Sequence, residues 1–384
     1  MGFESLALIC LVALIAPVLS LAPSCRIPTV VGEILIGVVI GQTGLRWVDP
    51  TDPTFTFLAQ VGFALVMFVV GSHVPVRDPA LRRGLAVGLG RAAAIGVLAA
   101  PVGFVVARAF GTGHGGVYAV LMASSSAALI MPALAGVPTS APAMVRLLPQ
   151  IAVADAACIV ALPLVIDPPN AGRAAIGAAA IIAAGAVLAV LLRYLVASDR
   201  EKRLRSMSKR HQLALELRIS LGLIFALAAM ATRLHVSVML AGFVVGVAVS
   251  AAGEPHRLAG QLFALTEGLF APLFFIWLGA SLNIRELDRH PSGILLGLVL
   301  GLGAIAVHGA MVITRQRWPM AIVTSAQMGV PVSAVALGTA SDLLRPGEAA
   351  AILLGALVTV AATTAVSAKV RDIALEPAAR PDGG

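Results

Sequence analysis

The sequence carries little charge and few residues that could do enzymatic chemistry. Charged residues make up 12% of the chain, whereas soluble domains carry about 25%. The three cysteines, Cys10, Cys25 and Cys158, do not have the spacing of a metal or redox site. The sequence also lacks a nucleophile elbow, a phosphate-binding loop and a metal-ligand cluster. These absences argue against a soluble domain and against an enzyme, and we expect no cofactor.

Apolar residues dominate instead. They make up 59% of the chain, and the mean hydropathy is +0.97. Because a membrane-spanning helix needs roughly 20 apolar residues, the sequence predicts an all-α polytopic membrane protein with about 13 transmembrane helices. The predicted segments are residues 3–22, 28–45, 55–75, 84–110, 115–137, 141–167, 172–197, 213–233, 236–252, 262–284, 292–314, 317–341 and 347–370.

The net charge of +8 comes mainly from positive residues in loops, with the densest run at 200–210. Cytoplasmic loops of membrane proteins are enriched in Lys and Arg, and contact with anionic lipid is a second reading of such a run. This bias predicts an inner or plasma membrane protein with its N-terminus outside and its C-terminus in the cytoplasm. It does not indicate a nucleic-acid partner.

The chain resembles itself at an offset of about 208 residues. The block 27–37 matches 236–246, and the block 71–78 matches 279–286. An offset of seven predicted helices is odd, so the second copy would run in the opposite direction through the bilayer, as in secondary transporters. The predicted arrangement is six helices, one linker helix and six helices.

The fifth and twelfth predicted helices carry signs of a break at corresponding positions. The fifth contains Ser124, Ser125 and Ser126 before Pro132, and the twelfth contains Gln327 before Pro331. Proline frees a backbone carbonyl, and freed carbonyls and hydroxyls at mid-membrane depth can coordinate a cation. A simple proline kink is the alternative. The sequence therefore predicts two discontinuous helices, with Ser125, Ser126 and Gln327 as ion-binding candidates.

Asp155 lies in the middle of the sixth predicted helix. A carboxylate there costs roughly 2.5–3.5 kcal/mol on insertion scales and usually faces a protein or water-filled interior. It can hold a proton or a metal cation but not both, which is the minimal mechanism of an antiporter. Gln150, about one helical turn earlier, could line the same path. A carboxylate permanently paired with a basic residue is the alternative.

Three further polar residues lie within predicted helices. His308 can relay protons or sense pH, or be a structural histidine bonded to a neighbouring helix. Arg91 must find a hydrogen-bond acceptor among the helices. It is either a structural residue or a gate residue. Glu33 is either a carboxylate favoured by a helix start or a gate residue.

Three stretches resemble the membrane domain of the monovalent cation:proton antiporter-2 family. They are Ile27 to Gly37, Val153-Ala154-Asp155, and Pro272 to Leu282. The resemblance implies a sodium/proton antiporter-like fold, a homodimer, and elevator-like alternating access in which a proton and Na⁺ or K⁺ compete for Asp155. It also implies a division of the chain. The dimerisation scaffold would be 1–83 and 213–290, the ion-translocating core 84–167 and 291–370, the linker helix and basic loop 168–212, and a disordered tail 371–384.

The chain departs from the family pattern at several positions. Many relatives have a second polar residue where Ala154 stands, so a single carboxylate suggests electroneutral exchange. His308 takes the place of a frequent Lys. Some relatives carry a cytoplasmic nucleotide-binding domain, which we do not expect because 15 residues follow Lys369. Two other functions remain open, a sodium-coupled transporter of a small organic solute and a non-transporting sensor or partner subunit.

Overall fold

The computed structural model describes residues 1–21, 29–72, 74, 76–77, 79–127, 129–130, 134, 137, 141–197, 215–234, 236–253, 262–282, 285 and 291–375. All regular structure within these ranges is helical. The α-helices are α1 (Phe3–Ala13), α2 (Ile15–Leu21), α3 (Thr29–Ile40), α4 (Pro53–Ser72), α5 (Pro79–Ala109), α6 (Gly115–Ala123), α7 (Pro142–Ile166), α8 (Ala171–Ala197), α9 (Leu215–Arg233), α10 (Val238–Ala252), α11 (Ala271–Ser281), α12 (Pro291–Gly309), α13 (Trp318–Val323), α14 (Gly329–Ala340) and α15 (Glu348–Leu375).

Each of the thirteen predicted segments contains helix, which confirms the predicted all-α polytopic fold. Within the described residues, seven helical stretches are long and apolar enough to cross a membrane by themselves. A π-helical turn, Thr266–Phe270, precedes α11, and a 3₁₀ turn, Ala310–Thr314, extends α12. The sequence did not predict either of these turns.

Local sequence signals explain where several helices begin and end. Asp52 accepts hydrogen bonds from the N–H groups of Thr54 and Phe55, and Pro53 occupies the first helical position of α4. Both features favour a helix start. Ser237 caps α10 in the same way, and Gly253 ends it in the left-handed conformation.

The chain forms two compact units. The first contains residues 1–76, 167–291 and 336–350, and its buried clusters are built around Phe68 on α4 and around Phe55 and Ile276. The second contains 77–166, 292–335 and 351–384, and its buried cluster is built around Leu147 on α7. Whether these units act as scaffold and core stays a prediction.

Two helix crossings in the first unit reproduce the internal repeat. A β-carbon on Gly279 of α11 would overlap the carbonyl oxygen of Ile34 on α3, and one on Gly37 would overlap that of Ile276. A second crossing, between α4 and α10, contains the residues that the sequence repeat places opposite these. A β-carbon on Gly71 would overlap the carbonyl oxygen of Phe243, and one on Gly246 would overlap that of Phe68. The matched sequence blocks therefore make matched contacts.

Long apolar side chains remain exposed on the outer helices. On α5, Val97, Phe104 and Val105 are each more than 60% exposed, and on α8 so are Val187 and Val190. So many exposed apolar side chains are unusual on a soluble monomer, but hydrocarbon solvates them well. These faces suit contact with lipid.

Some sequence predictions lie outside the described residues. They concern positions 27–28, 73, 75, 78, 283–284 and 286 of the repeat blocks, Pro132 of the fifth segment, the basic run at 200–210 and the tail after residue 375.

Candidate functional site

The fifth predicted span is broken at its three serines. Helix α6 ends at Ala123, and Ser124 has extended backbone angles. A new turn starts immediately after, because the carbonyl of Ser126 accepts from the N–H groups of Leu129 and Ile130. The hydroxyl of Ser124 donates to the carbonyl of Leu121. This break confirms the first of the two predicted discontinuities.

The twelfth predicted span is broken between α13 and α14, at residues 324–328. This confirms the second discontinuity, but the break precedes the proline. Pro331 lies in the first turn of α14, where a missing N–H costs nothing. Proline by itself does not break these helices, since Pro149 and Pro163 lie inside the continuous helix α7.

Asp155 faces the break in the fifth span. It lies on the 25-residue helix α7 and is 4% exposed. The backbone N–H of Ala127, the first residue after the three serines, donates to Oδ2 of Asp155 at 3.3 Å. No basic side chain pairs with this carboxylate within the described residues. The predicted alternative of a permanent ion pair therefore receives no support there.

A chain of buried polar side chains runs to the break in the twelfth span. Nε2 of Gln316 donates to Oε1 of Gln150 at 3.1 Å, and Nε2 of Gln150 donates to Oγ1 of Thr324 at 3.4 Å. Nδ1 of His308 lies 2.9 Å from the same Thr324 oxygen. Thr324 and His308 are both fully buried, at 0% exposed. The two sequence candidates Gln150 and His308 thus share one partner, which the sequence did not single out.

The imidazole of His308 also lies beside the end of α6. Backbone acceptor groups of Met122 and Ser124 lie near the ring, but no group within the described residues meets hydrogen-bond geometry with Nε2. Helix C-termini carry partial negative charge and starts carry partial positive charge. His308 therefore lies at the end of the first half-helix of the broken span, and Asp155 lies at the start of the second.

The remaining ion-binding candidates are buried at the two breaks. Ser125 and Ser126 are at most 3% exposed, and Oγ of Ser125 has no partner within the described residues. The backbone N–H of Gln327 donates to Oγ1 of Thr359 at 3.2 Å, while its side-chain Nε2 is buried and has no partner in the same set. Unpartnered buried polar atoms are costly. The Ser125 oxygen can accept a hydrogen bond or bind a cation, whereas the NH₂ group of Gln327 can only donate.

The two possible gate residues have different surroundings. Arg91 on α5 donates from Nε to Oγ1 of Thr314 at 2.9 Å and from Nη2 to its carbonyl at 3.2 Å, so the predicted acceptor is found. Glu33 is buried on α3, in the first unit, where the carboxylate of Glu267 acts on it electrostatically. Asp155, His308 and the two breaks belong to the second unit.

The site contains three polar residues that sequence reasoning missed, namely Thr324, Gln316 and Thr359. Thr324 and Thr359 lie within predicted spans, and Gln316 lies in the short loop between two predicted spans. None of the three gives a periodic signal, and the nearest cue was the position of Thr324 three residues before Gln327. Within the described part of the chain, no group of three His, Cys, Asp or Glu side chains could hold a resident metal ion.

Two interrupted helices, buried polar groups at both breaks and an internal repeat define a multi-pass membrane protein of the secondary-transporter class. Solved structures with the same fold are known. The sodium proton antiporter MjNhaP1 of Methanocaldococcus jannaschii, in the structure at pH 8, matches over 97% of this chain and 98% of that one, with a TM-score of 0.66 and 15% identity. An electron-microscopy structure of the same antiporter matches over the full length of both chains, with a TM-score of 0.72 and 15% identity.

The sequence comparisons identify the family. The model described as sodium/hydrogen exchanger, transmembrane, matches residues 10–372, and the chain belongs to this family of transporters. The glutathione-regulated potassium-efflux system protein KefC of Enterobacter sp. (strain 638) is 27% identical over 368 residues, which cover 91% of this chain and 57% of KefC. KefC of Salmonella typhimurium is 26% identical over 371 residues, with the same coverage. The chain therefore spans a little over half the length of these relatives.

Proposed function

We propose that this protein is a secondary-active monovalent cation:proton antiporter in which a proton and Na⁺ or K⁺ compete for Asp155. One observation carries the proposal: a buried carboxylate in the middle of a long apolar helix, facing a helix break and free of any basic partner among the described residues. Such a carboxylate is costly unless it is protonated or meets a cation. The protonated carboxylate and the cation-bound carboxylate therefore exclude each other.

The groups at the breaks complete the proposed site. A dehydrated Na⁺ or K⁺ requires several oxygen ligands, and the carboxylate supplies at most two. Ser125, Ser126 and the freed carbonyls of the first break are the oxygen donors that we propose on one side, and Gln327 on the other. Because the site contains one carboxylate, one proton is exchanged for one cation, and transport is electroneutral.

Alternating access is proposed to be elevator-like. Residues 84–167 and 291–370 would move as the core against a dimerisation scaffold of 1–83 and 213–290, within a homodimer whose N-terminus lies outside and C-terminus inside. The division into two compact units supports this scheme, because all the proposed ion-binding residues fall within one of them. Arg91 and Glu33 are proposed to be structural, since Arg91 has its acceptor in Thr314 and Glu33 lies in the other unit.

The test is cation-driven proton movement in proteoliposomes. Purified protein is reconstituted with a pH dye inside, and Na⁺ or K⁺ is added outside. We expect a change in interior pH for the wild type and none for Asp155→Asn, which keeps the size of the side chain but cannot exchange a proton. Asp372→Asn, which changes an exposed carboxylate of the same unit, is the matched control and should behave as wild type.

The two cations are compared in the same assay, which decides between sodium and potassium. If neither changes the interior pH of wild-type vesicles across the physiological range, the antiport proposal fails. Unchanged exchange in Asp155→Asn would leave antiport standing and remove Asp155 from the mechanism.

A further inference from the structure

The hydroxyl group of Thr324 has three polar neighbours and only one proton. Its Oγ1 lies 2.7 Å from the carbonyl oxygen of Ala321, 3.4 Å from Nε2 of Gln150 and 2.9 Å from Nδ1 of His308. A hydroxyl donates once and accepts twice. The direction of each of the three bonds is therefore fixed once the donor is assigned.

The Thr324 hydroxyl donates its single proton to the carbonyl of Ala321. A carbonyl can only accept, and in a continuing helix this one would accept from the N–H of Ser325. At the break that N–H bonds to Ile322 instead, at 2.9 Å. If the Thr324 hydroxyl turned to the imidazole, the Ala321 carbonyl would lose this donor, and an unsatisfied buried acceptor is destabilising.

The other end of the chain fixes the direction of the glutamine bonds. Nε2 of Gln316 donates to the carbonyl of Met320 at 3.4 Å, which can only accept. The atom of Gln150 that faces Gln316 is therefore its oxygen, and the atom that faces Thr324 is its NH₂ group. Gln150 is thus a donor to Thr324 and takes one of the two lone pairs of the hydroxyl oxygen.

We infer that Thr324 is a positioning residue that holds neutral His308 in the Nδ1–H tautomer and leaves Nε2 as the atom that gains and loses a proton. With the hydroxyl proton directed to Ala321 and one lone pair taken by Gln150, the second lone pair can only accept, so Nδ1 must carry a hydrogen. The lone pair of the ring is then on Nε2, which is buried and has no partner within the described residues.

This assignment rests on the proposed function and refines the proton path within it. A proton that reaches the interior of the unit through His308 would be taken up at Nε2, beside the end of α6, while Nδ1 stays anchored. The direct neighbours of the ring are uncharged, being Thr324 and backbone groups of Met122 and Ser124. The titratable or charged residues on the neighbouring helices are Arg82, Arg83, Arg91 and Arg108 on α5, Tyr118 on α6, Arg146, Asp155 and Cys158 on α7, and Glu348, Lys369, Arg371 and Asp372 on α15.

The first arm of the experiment reads the tautomer directly. Protein labelled with ¹⁵N in histidine is reconstituted in lipid, and solid-state NMR determines which ring nitrogen carries the hydrogen. The His308 signals are assigned by their loss in His308→Gln. We expect Nδ1–H in the wild type and in Thr324→Ser, which keeps the hydroxyl. In Thr324→Val, which has nearly the same shape without it, the Nε2–H form should appear.

The second arm measures the pH profile of exchange in the same three proteins. Thr324→Ser should match the wild type. Thr324→Val should shift the profile and lose roughly tenfold in rate at neutral pH, about the effect of losing one hydrogen bond to a buried group. A packing defect would lower the rate at every pH and leave the profile in place.

Nε2–H in the wild type would overturn the inference, and so would a Thr324→Val protein with the tautomer and pH profile of Thr324→Ser. Because NMR needs no transport, the tautomer is decided even if wild-type vesicles show no exchange. Failure of the antiport proposal would appear in the exchange assay, and failure of the Thr324 assignment in the NMR spectra, so the two can be distinguished.

Discussion

The backbone N–H of Ala127 donates to the carboxylate of Asp155 across a break in the fifth span. The two residues are 28 positions apart in sequence. The break frees this N–H to donate to Asp155, because in a continuous helix it would donate to a carbonyl one turn earlier. A donor from the backbone, unlike a lysine or arginine, brings no full charge. The carboxylate is held in place without being neutralised.

Competition at Asp155 gives a defined pH dependence. A proton on the carboxylate prevents cation binding, so acidification should raise the apparent KM for the cation while the maximal rate at saturating cation is retained. For one proton against one cation, the KM should rise about tenfold per pH unit once the carboxyl is mostly protonated. Initial rates in proteoliposomes over a range of cation concentrations at each pH measure this. A KM that does not change with pH would contradict direct competition.

Thr359 should stabilise the second break. Its hydroxyl accepts from the backbone N–H of Gln327 and donates to the carbonyl of Ala356 at 2.7 Å. Thr359→Val leaves the Gln327 N–H buried without an acceptor, which should destabilise the protein by about 1–3 kcal/mol. Thr359→Ser keeps the hydroxyl and should be near wild type. Thermal unfolding in detergent compares the two, and equal stability of the variants would show that the bond contributes nothing.

Arg91 should contribute to stability rather than to the transport cycle. Its guanidinium bonds both oxygens of Thr314 through two different nitrogens, and lysine cannot reproduce that two-point geometry. Arg91→Lys should lower the unfolding temperature, while exchange per folded molecule stays within about twofold of wild type because no proposed ion ligand is touched. Loss of exchange at an unchanged unfolding temperature would instead indicate a gate.

The two glycine crossings should be intolerant of even a methyl group. Gly279→Ala and Gly71→Ala each place a β-carbon against a backbone carbonyl, so each should destabilise the protein by about 1–3 kcal/mol through overpacking. Gly222 on α9 has open space at the same position, and Gly222→Ala should be neutral or slightly stabilising. Unfolding in detergent measures all three. Similar stabilities for the Gly71 and Gly222 variants would show that the helices move apart freely.

Much of the fold could be predicted from the sequence because hydrophobic length and repetition are local signals. The match of Gly37 to Gly246 and of Gly71 to Gly279 predicted an internal repeat, and the two crossings confirm it. The positions of both breaks were also predicted, from Ser124 to Ser126 and from Gln327. Proline was the weaker guide, since Pro331 is accommodated in a first helical turn.

The hydrogen-bonded part of the site could not be predicted in the same way. Thr324, Gln316 and Gln150 meet only because three different elements pack together, and a pair 166 or 174 residues apart leaves no pattern in a single sequence. A threonine in an apolar segment most often bonds a carbonyl of its own turn. Thr324 does that and also lies within hydrogen-bond distance of Gln150 and His308, which only the structure reveals.

The glycine crossings also have a mechanical consequence. Where backbone meets backbone, no side-chain rotamers lie between the helices, so a rotamer change cannot alter the spacing of α3 and α11, or of α4 and α10. We expect these two pairs, which lie at equivalent points of the repeat, to be the stiffest contacts of the first unit. Elastic deformation within the first unit must then be taken up by its other contacts, where flexible side chains separate the helices.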